Sequence, residues 1–189
     1  MNKKLFAPLA IMALSLSACS SNAPVGGNGA LSAAKVAYTD APAGCVKSTV
    51  LTAKTSGLAE MTFTPKSNWF NVWSKTPESA RLIFGTYDVP KDNIYVDYNK
   101  TEKDALVVVQ FADTVTKVAG VGNYSSAADA KMKVNETNIS SKGLAGGVFD
   151  KNGSLEISHL DAKYACGTMK FDDGKNKLTG EFIAEVVRW

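Results

Sequence analysis

The sequence of 189 residues contains little of what metal sites and common hydrolases are built from. It has a single histidine and three cysteines, and no two cysteines are spaced as Cys-x-x-Cys. With one histidine, a zinc site would depend on carboxylates alone, so we expect no metal. No Gly-x-Ser-x-Gly elbow occurs, and no glycine-rich loop opens a helix as an anion site. The sequence therefore predicts a protein that has no cofactor and is not an enzyme.

An excess of charge of one sign is also missing. The 21 lysines and arginines face 18 aspartates and glutamates, which gives a formal net charge of +3. Lys3 and Lys4 belong to a predicted leader, and without them the net charge is +1. Electrostatic attraction to nucleic acid or to anionic lipid is then weak, so we expect no nucleic-acid partner. The 45% hydrophobic and 21% charged residues are typical of a globular chain.

The N-terminal hydrophobic run is too short to cross a bilayer as a helix. Residues 5–16 form an apolar stretch of twelve, whereas a helix that crosses about 30 Å of hydrocarbon needs about 20 residues. The stretch follows a positive start, Asn2-Lys3-Lys4, and has the proportions of a secretory signal peptide.

The apolar stretch ends in Leu16-Ser17-Ala18-Cys19, which resembles the lipobox of bacterial lipoproteins at every position. The resemblance implies that residues 1–18 are a signal peptide cleaved before Cys19. It also implies diacylglycerol on the Cys19 sulfur and an acyl chain on the new amino group. Ser20 stands where lipoproteins retained in the inner membrane usually have Asp, so the resemblance points to the outer membrane, on either its periplasmic or its external face. The alternative is an ordinary signal peptide with a chance cysteine.

The rest of the chain divides into a linker and one domain. Residues 20–29 have almost nothing to bury, which predicts a flexible tether over residues 19–35. Residues 36–189 are enough for a single domain with one hydrophobic core.

Two cysteines remain beside Cys19, and an oxidising compartment favours their pairing. We therefore predict a disulfide between Cys45 and Cys166, which would join the start of the domain to its penultimate strand. The alternative is a catalytic thiol, which is disfavoured because no Cys-x-x-Cys motif is present.

Alternating apolar and polar residues predict an all-β domain. The clearest hairpin joins residues 165–171 to residues 178–187 through a turn that contains Asp173-Gly174. A second hairpin is predicted from residues 144–149 and 154–158. Further strands are predicted at residues 59–64, 81–87, 94–98, 106–111 and 115–118. This spacing is typical of an antiparallel barrel or sandwich of about eight strands.

Helix content should be low. Residues 76–79 have the form of an N-cap followed by proline at the first helical position, and residues 125–132 are long enough for two helical turns. Neither segment has the apolar periodicity of a long amphipathic helix.

The candidate binding residues are Trp69, Asn71 and Trp73. On a strand these three side chains share one face, while Phe70 and Val72 occupy the other. Two exposed indoles beside an amide would suit sugar stacking or a contact with a partner protein. The alternative is that both tryptophans complete a core, which is the commoner arrangement for large aromatic residues.

His159 and Asp161 lie two residues apart and would point to the same side of a strand. A carboxylate that orients an imidazole uses this arrangement in hydrolases. An envelope hydrolase is therefore one hypothesis, and a surface histidine at the end of a hairpin is the simpler one.

Residues 165–180 look like the strand-turn-strand repeat of transferrin-binding-protein-like β-barrel lipoproteins. The resemblance implies an outer-membrane protein whose barrel loops bind host proteins or small ligands such as haem, and it assigns no binding residue.

Two main functional hypotheses follow. The first is a non-enzymatic, lipid-anchored module at the outer membrane that binds an envelope or external protein. The second is a lipid-anchored barrel that encloses a small apolar ligand such as haem or a lipid, for which about eight strands leave just enough room. An apolar cavity would favour the second, and a solid core with exposed tryptophans would favour the first.

Overall fold

The computed structural model describes residues 36–55, 60–91, 104–141, 144–148 and 153–188. The predicted signal peptide, Cys19, the tether and the strand at residues 94–98 lie outside these ranges. The strands are β1 (Val50–Lys54), β2 (Met61–Phe63), β3 (Ser67–Trp73), β4 (Thr76–Gly85), β5 (Ala105–Asp113), β6 (Gly122–Ser125), β7 (Met132–Ser141), β8 (Leu144–Val148), β9 (Gly153–Leu160), β10 (Tyr164–Asp172) and β11 (Lys177–Arg188). Helices are absent from the described ranges, so none there is long and apolar enough to cross a membrane.

Eight of these strands close into a barrel, so the predicted all-β fold class is confirmed. Their order is β10-β9-β6-β7-β5-β4-β3-β11, and pairing of β11 with β10 completes the ring. Neighbours in the ring are antiparallel except at two seams, β3–β11 and β6–β7, where the strands are parallel. A sandwich would need two separate sheets, which this closed ring does not have.

One edge of β11 is shared between two strands. Its first residues pair with β1, from Val50 opposite Glu181 onwards, and its last residues pair with β3, ending at Arg188 opposite Val72. β2 adds to the outer edge of β1, and β8 adds to β7. These three strands extend the sheet beyond the ring.

Inward-pointing side chains of the ring, together with side chains of β1 and β2, form one continuous core. Its largest fully buried members are aromatic and aliphatic, and the aromatic ones are Phe63, Phe70, Phe84, Phe111, Tyr124, Phe171 and Phe182. The Phe111 ring lies 4.6 Å from the Tyr124 ring and 5.8 Å from the Phe70 ring, measured between centroids. An eight-stranded barrel is just wide enough to be filled by side chains, and aromatic rings fill this one.

Two smaller apolar clusters cover parts of the outer wall. The segment before β1 packs Tyr38 and Cys45 against Tyr164, Cys166 and Ile183. On the other side, residues after β4 cover part of β4 and β5, in a cluster of Ile83, Tyr87, Val89 and Leu106 with Trp69 and Val108 at its edge. Ile183 is fully buried, although Glu181 and Glu185 share its face of β11, because the N-terminal segment lies over it.

The C-terminal hairpin is confirmed. β10 and β11 pair along their whole overlap, from Asp172 opposite Lys177 to Tyr164 opposite Glu185. Gly174 supplies the left-handed conformation that the turn requires, at φ +85°. Gly167 lies beside a bulge against β9, where a Cβ atom would stand 1.8 Å from the Glu156 carbonyl oxygen.

The second predicted hairpin is wrong. Residues 144–148 and 153–160 are strands, but β8 pairs with β7, whereas β9 lies between β10 and β6. Alternation of apolar and polar residues identifies a strand, whereas the choice of its neighbouring strands depends on the assembly of the whole sheet.

Three other local predictions are wrong. Residues 76–79 begin β4 rather than a helix, and residues 125–132 run from the end of β6 to the start of β7. Thr76 and Ser79 pair with β3 and β5, and residues 126–131 form the turn between β6 and β7. A helix in either place would have had no apolar face to bury. The predicted strand at residues 115–118 is an exposed turn, because the Asp113 carboxylate accepts hydrogen bonds from the backbone N–H groups of Val115 and Thr116.

Candidate functional site

The candidate binding residues lie on β3 as the alternation predicts. Phe70 and Val72 point into the barrel core, whereas Trp69, Asn71 and Trp73 point to the outer wall. Both indoles are half-buried. The three residues therefore share one face, but their surroundings differ.

Trp69 is largely a structural residue. Its indole N–H donates a hydrogen bond of 2.9 Å to the Val89 carbonyl oxygen, and its ring packs at the edge of the outer cluster. The Lys91 ammonium lies 4.6 Å from the ring centroid and 2.8 Å from the Glu185 carboxylate. The packed-core interpretation is thus the better one for Trp69.

Trp73 stands at the end of β3, where the register with β4 shifts. The Arg81 guanidinium lies 4.6 Å from its ring centroid. Arg81 also donates a hydrogen bond of 3.2 Å from Nε to the Gln110 side-chain oxygen. All three side chains are partly exposed, and we call them the Trp73 patch. An indole, a guanidinium and an amide together present both apolar area and directed hydrogen bonding.

Asn71 lies directly beside this patch. In the sheet it stands opposite Arg81 on β4 and Val187 on β11. Its side chain is 1% exposed, and neither its oxygen nor its nitrogen has a hydrogen-bond partner among the described residues. Buried amides in native proteins are nearly always paired, so this one marks a local cost in stability.

The sequence did not reveal the two cations over the indoles. Arg81 and Lys91 lie at least eight residues from their rings along the chain, and only the β3–β4 register and the course of the chain after β4 bring them there. No local signal identifies such cross-strand neighbours.

His159 and Asp161 meet as their spacing predicts. The His159 Nε2 atom lies 2.9 Å from Asp161 Oδ2, and both side chains are partly exposed. The other carboxylate oxygen accepts hydrogen bonds of 2.7 Å from the backbone N–H groups of Lys163 and Tyr164. The hydrogen bond from His159, with those two, lowers the pKa of Asp161 to about 2. This geometry stabilises the β9–β10 turn.

The nearest serine along the chain is already engaged. Ser158 donates a hydrogen bond of 3.2 Å to the Cys166 carbonyl oxygen, on the β10 side. The described contacts thus give the hydrolase hypothesis no nucleophile at His159.

The disulfide between Cys45 and Cys166 is confirmed, with Cα atoms 5.8 Å apart. Beside it, Asp40 accepts a hydrogen bond of 2.6 Å from the Tyr164 hydroxyl and pairs with the Lys163 ammonium. These contacts, Lys163 first, hold the pKa of Asp40 below its usual value. The N-terminal segment is therefore held to β10 covalently and by charge.

Two further features bear on ligand binding. An open cleft of about 330 Å³ is lined by Ser125, Ser126, Ala127, Gly153, Ser154, Lys170 and Asp172. Within the described ranges, no group of three or more His, Cys, Asp or Glu side chains is placed to hold a metal ion.

Comparison of the chain with protein-family models, with curated proteins and with solved structures found no match. The functional argument therefore depends on the geometry above and on the sequence motifs.

Proposed function

We propose that the protein is a lipid-anchored component of the bacterial outer membrane that binds another protein through the Trp73 patch. The partner is an envelope or external protein, and the binding is non-enzymatic. In this proposal, Cys19 carries the lipid, residues 19–35 tether the barrel to the membrane, and the outer wall supplies the contact.

Export across the inner membrane is supported by two independent features. The sequence has a positive start, an apolar run and a lipobox-like Leu16-Ser17-Ala18-Cys19 in the expected order. The Cys45–Cys166 disulfide fits an oxidising compartment, because such bridges rarely persist in the bacterial cytosol.

The observation that carries the binding proposal is the Trp73–Arg81 pair beside a buried Asn71, whose side chain has no hydrogen-bond partner in the described part of the chain. Tryptophan and arginine are the residues most enriched among those that dominate protein–protein affinity. The barrel interior supports an outer-wall site rather than an enclosed ligand, because the aromatic rings of the core occupy the space that haem or a lipid would need.

Site-specific photo-crosslinking in intact cells tests the binding site. A crosslinking amino acid at Gln110 should trap a discrete partner, and Trp73→Ala should reduce that product at least about tenfold. Val50→Ala, a change at an exposed position on β1, is the matched control and should leave the yield unchanged. An equal yield from the Trp73→Ala variant would contradict the proposed site.

Maturation tests the anchor separately. An inhibitor of the lipoprotein signal peptidase should leave the leader attached, and Cys19→Ser should abolish incorporation of labelled palmitate. Normal cleavage under the inhibitor would show that the lipobox assignment is wrong.

A further inference from the structure

The loop between β5 and β6 exposes an unusual amount of aliphatic surface. We call residues 114–121 the valine loop. Its Val115, Val118 and Val121 are 57%, 55% and 60% exposed. The other large hydrophobic side chain that is similarly exposed within the described ranges is Val50, at 45% on the β1 wall. Three of these four residues thus lie in one short loop.

The valine loop is held in place by its own polar contacts. The buried Asp113 carboxylate accepts hydrogen bonds of 2.8 and 2.9 Å from the backbone N–H groups of Val115 and Thr116, and one of 2.6 Å from the Thr116 hydroxyl. The Tyr124 hydroxyl binds both the N–H and the carbonyl of Gly120, each at 2.9 Å. The valines are therefore presented in a fixed conformation, which lowers the entropy lost on binding.

The burial of Ala119 also explains why the valines are exposed. Ala119, between the exposed valines, is buried and donates its backbone N–H to the Pro77 carbonyl at 2.8 Å. Burial of this one residue leaves its neighbours on the outside of the loop.

The valine loop lies at the end of the barrel where the chain enters the domain. β5 ends there, as do β3 and β11, since Ser79 pairs with Ala112 and Arg188 with Val72. The β9–β10 turn is at the same end, and its Lys163 is paired with Asp40 of the N-terminal segment. Even a fully extended chain from Cys19 to residue 36 spans at most about 60 Å. The anchor thus keeps this end within about 60 Å of the membrane.

We propose that the valine loop inserts into the surface of the bilayer that holds Cys19, as a second membrane contact. This inference rests on the lipid anchor of the proposed function. A lipid occupant fits the loop better than a protein, because valine is under-represented among residues that dominate protein interfaces. Lys117 at the loop tip has a stem long enough to keep its charge in the headgroup layer while the valines enter the acyl boundary.

Quenching by brominated phosphatidylcholine tests the inference. The full-length protein, matured in cells and purified in detergent, is reconstituted into vesicles with Val118→Trp or, as the matched control, Val50→Trp. The native tryptophans contribute the same background to both variants. We expect brominated lipid to reduce the added fluorescence of Val118→Trp about two-fold or more, since interfacial insertion reaches about 5–10 Å, and to leave Val50→Trp unchanged.

The outcomes separate the two proposals, because an intact-mass measurement on the same samples shows whether the protein carries lipid. A lipidated protein in which neither added tryptophan is quenched would overturn the membrane contact and leave the anchor standing. An unlipidated protein would overturn the anchor and, with it, this inference. In the absence of vesicles, iodide quenching of Val118→Trp could become weaker as the protein concentration rises. That result would show that the loop contacts a second copy of the chain, and it would overturn the lipid occupant.

Discussion

Asn71 has two buried polar side-chain atoms to which no group of the described residues is hydrogen-bonded. A buried polar group without a partner destabilises the folded state by about 1–3 kcal/mol, because its hydrogen bonds to water are lost and not replaced. In a site that binds a partner, such a cost is tolerated when the residue serves function better than stability.

We predict that Asn71→Leu raises the free energy of unfolding by about 1 kcal/mol, since leucine has a similar volume and no polar atoms to satisfy. Urea denaturation measures the change. Asn176→Leu is the control and should lower stability, because the Asn176 amide donates a hydrogen bond of 2.9 Å to Asp173. A less stable Asn71→Leu variant would show that the amide is satisfied in solution.

The Asp161 carboxyl group makes the stability of the folded protein depend on pH, in a direction that its pKa shift determines. Its pKa falls from 3.8 to about 2 on folding, chiefly because His159 donates a hydrogen bond to the carboxylate. A carboxyl group with a lowered folded pKa stabilises the protein above its ordinary pKa, and the stabilisation is lost as the pH falls towards 2.

We therefore expect Asp161→Asn to be less stable than the wild type at pH 7, with a difference that shrinks between about pH 4 and pH 2. Thermal unfolding across this range is the measurement. Asp129→Asn removes the same charge from an exposed turn and serves as the control. A stability difference that stays constant with pH would show that the ionised carboxylate plays no part.

At the residue scale, the sequence predicts the features that follow from strand alternation or from an oxidising compartment. The shared face of Trp69, Asn71 and Trp73 and the cysteine pair are of this kind. The position of Arg81 over Trp73 depends on how β3 and β4 align, and the burial of Asn71 depends on its neighbours in both adjacent strands. Neither is encoded in the local sequence.

Among the elements, the segment before β1 depends most on a single covalent link. Its described residues, 36–49, form no strand, and they are held to β10 and β11 by the Cys45–Cys166 bridge and a small apolar cluster. The bridge spans 121 positions. Closing a loop of that length restricts the unfolded chain strongly.

We predict that replacing both cysteines with serine lowers the free energy of unfolding by about 4–5 kcal/mol, as the loop-entropy model gives for such a span. Denaturation of the double variant, compared with wild-type protein under oxidising conditions, measures it. Wild-type protein with added reductant should approach the variant. Equal stability in all three samples would contradict a structural role for the bridge.

The elements themselves were predicted best where a turn motif fixes a local pairing. Asp173-Gly174 determines the β10–β11 hairpin because glycine adopts the conformation that the turn needs. The sequence predicts β8 and β9 as strands but pairs them wrongly, because β9 lies between β10 and β6 in the ring and β8 adds to β7 outside it. The helix signals around Thr76 and Ser125 were local preferences that strand pairing overrode.

For the whole molecule, the seam between β3 and β11 determines whether the barrel is closed. Four residue pairs form this seam, from Glu185 opposite Trp69 to Arg188 opposite Val72. The sequence predicts about eight strands, but it does not predict a parallel seam between residues more than 100 positions apart, because no turn connects them.

We predict that ending the chain after Ala184 opens the ring and abolishes cooperative unfolding, since the seam residues are lost with their backbone hydrogen bonds. Near-ultraviolet circular dichroism and urea denaturation report this loss. The control is Glu185→Thr with Val187→Thr, which keeps the backbone pairing and should fold. A cooperative transition in the shortened chain would show that the seam is dispensable.

The position of β11 has a consequence for biosynthesis. The strand that borders β10, β1 and β3 follows all three of them in the chain, so the ribosome makes it after its partners. Until it arrives, the facing edges of β3 and β10 have no strand between them, and unpaired edges are templates for aggregation. Chaperone protection of the nascent protein therefore matters until β11 has been synthesised.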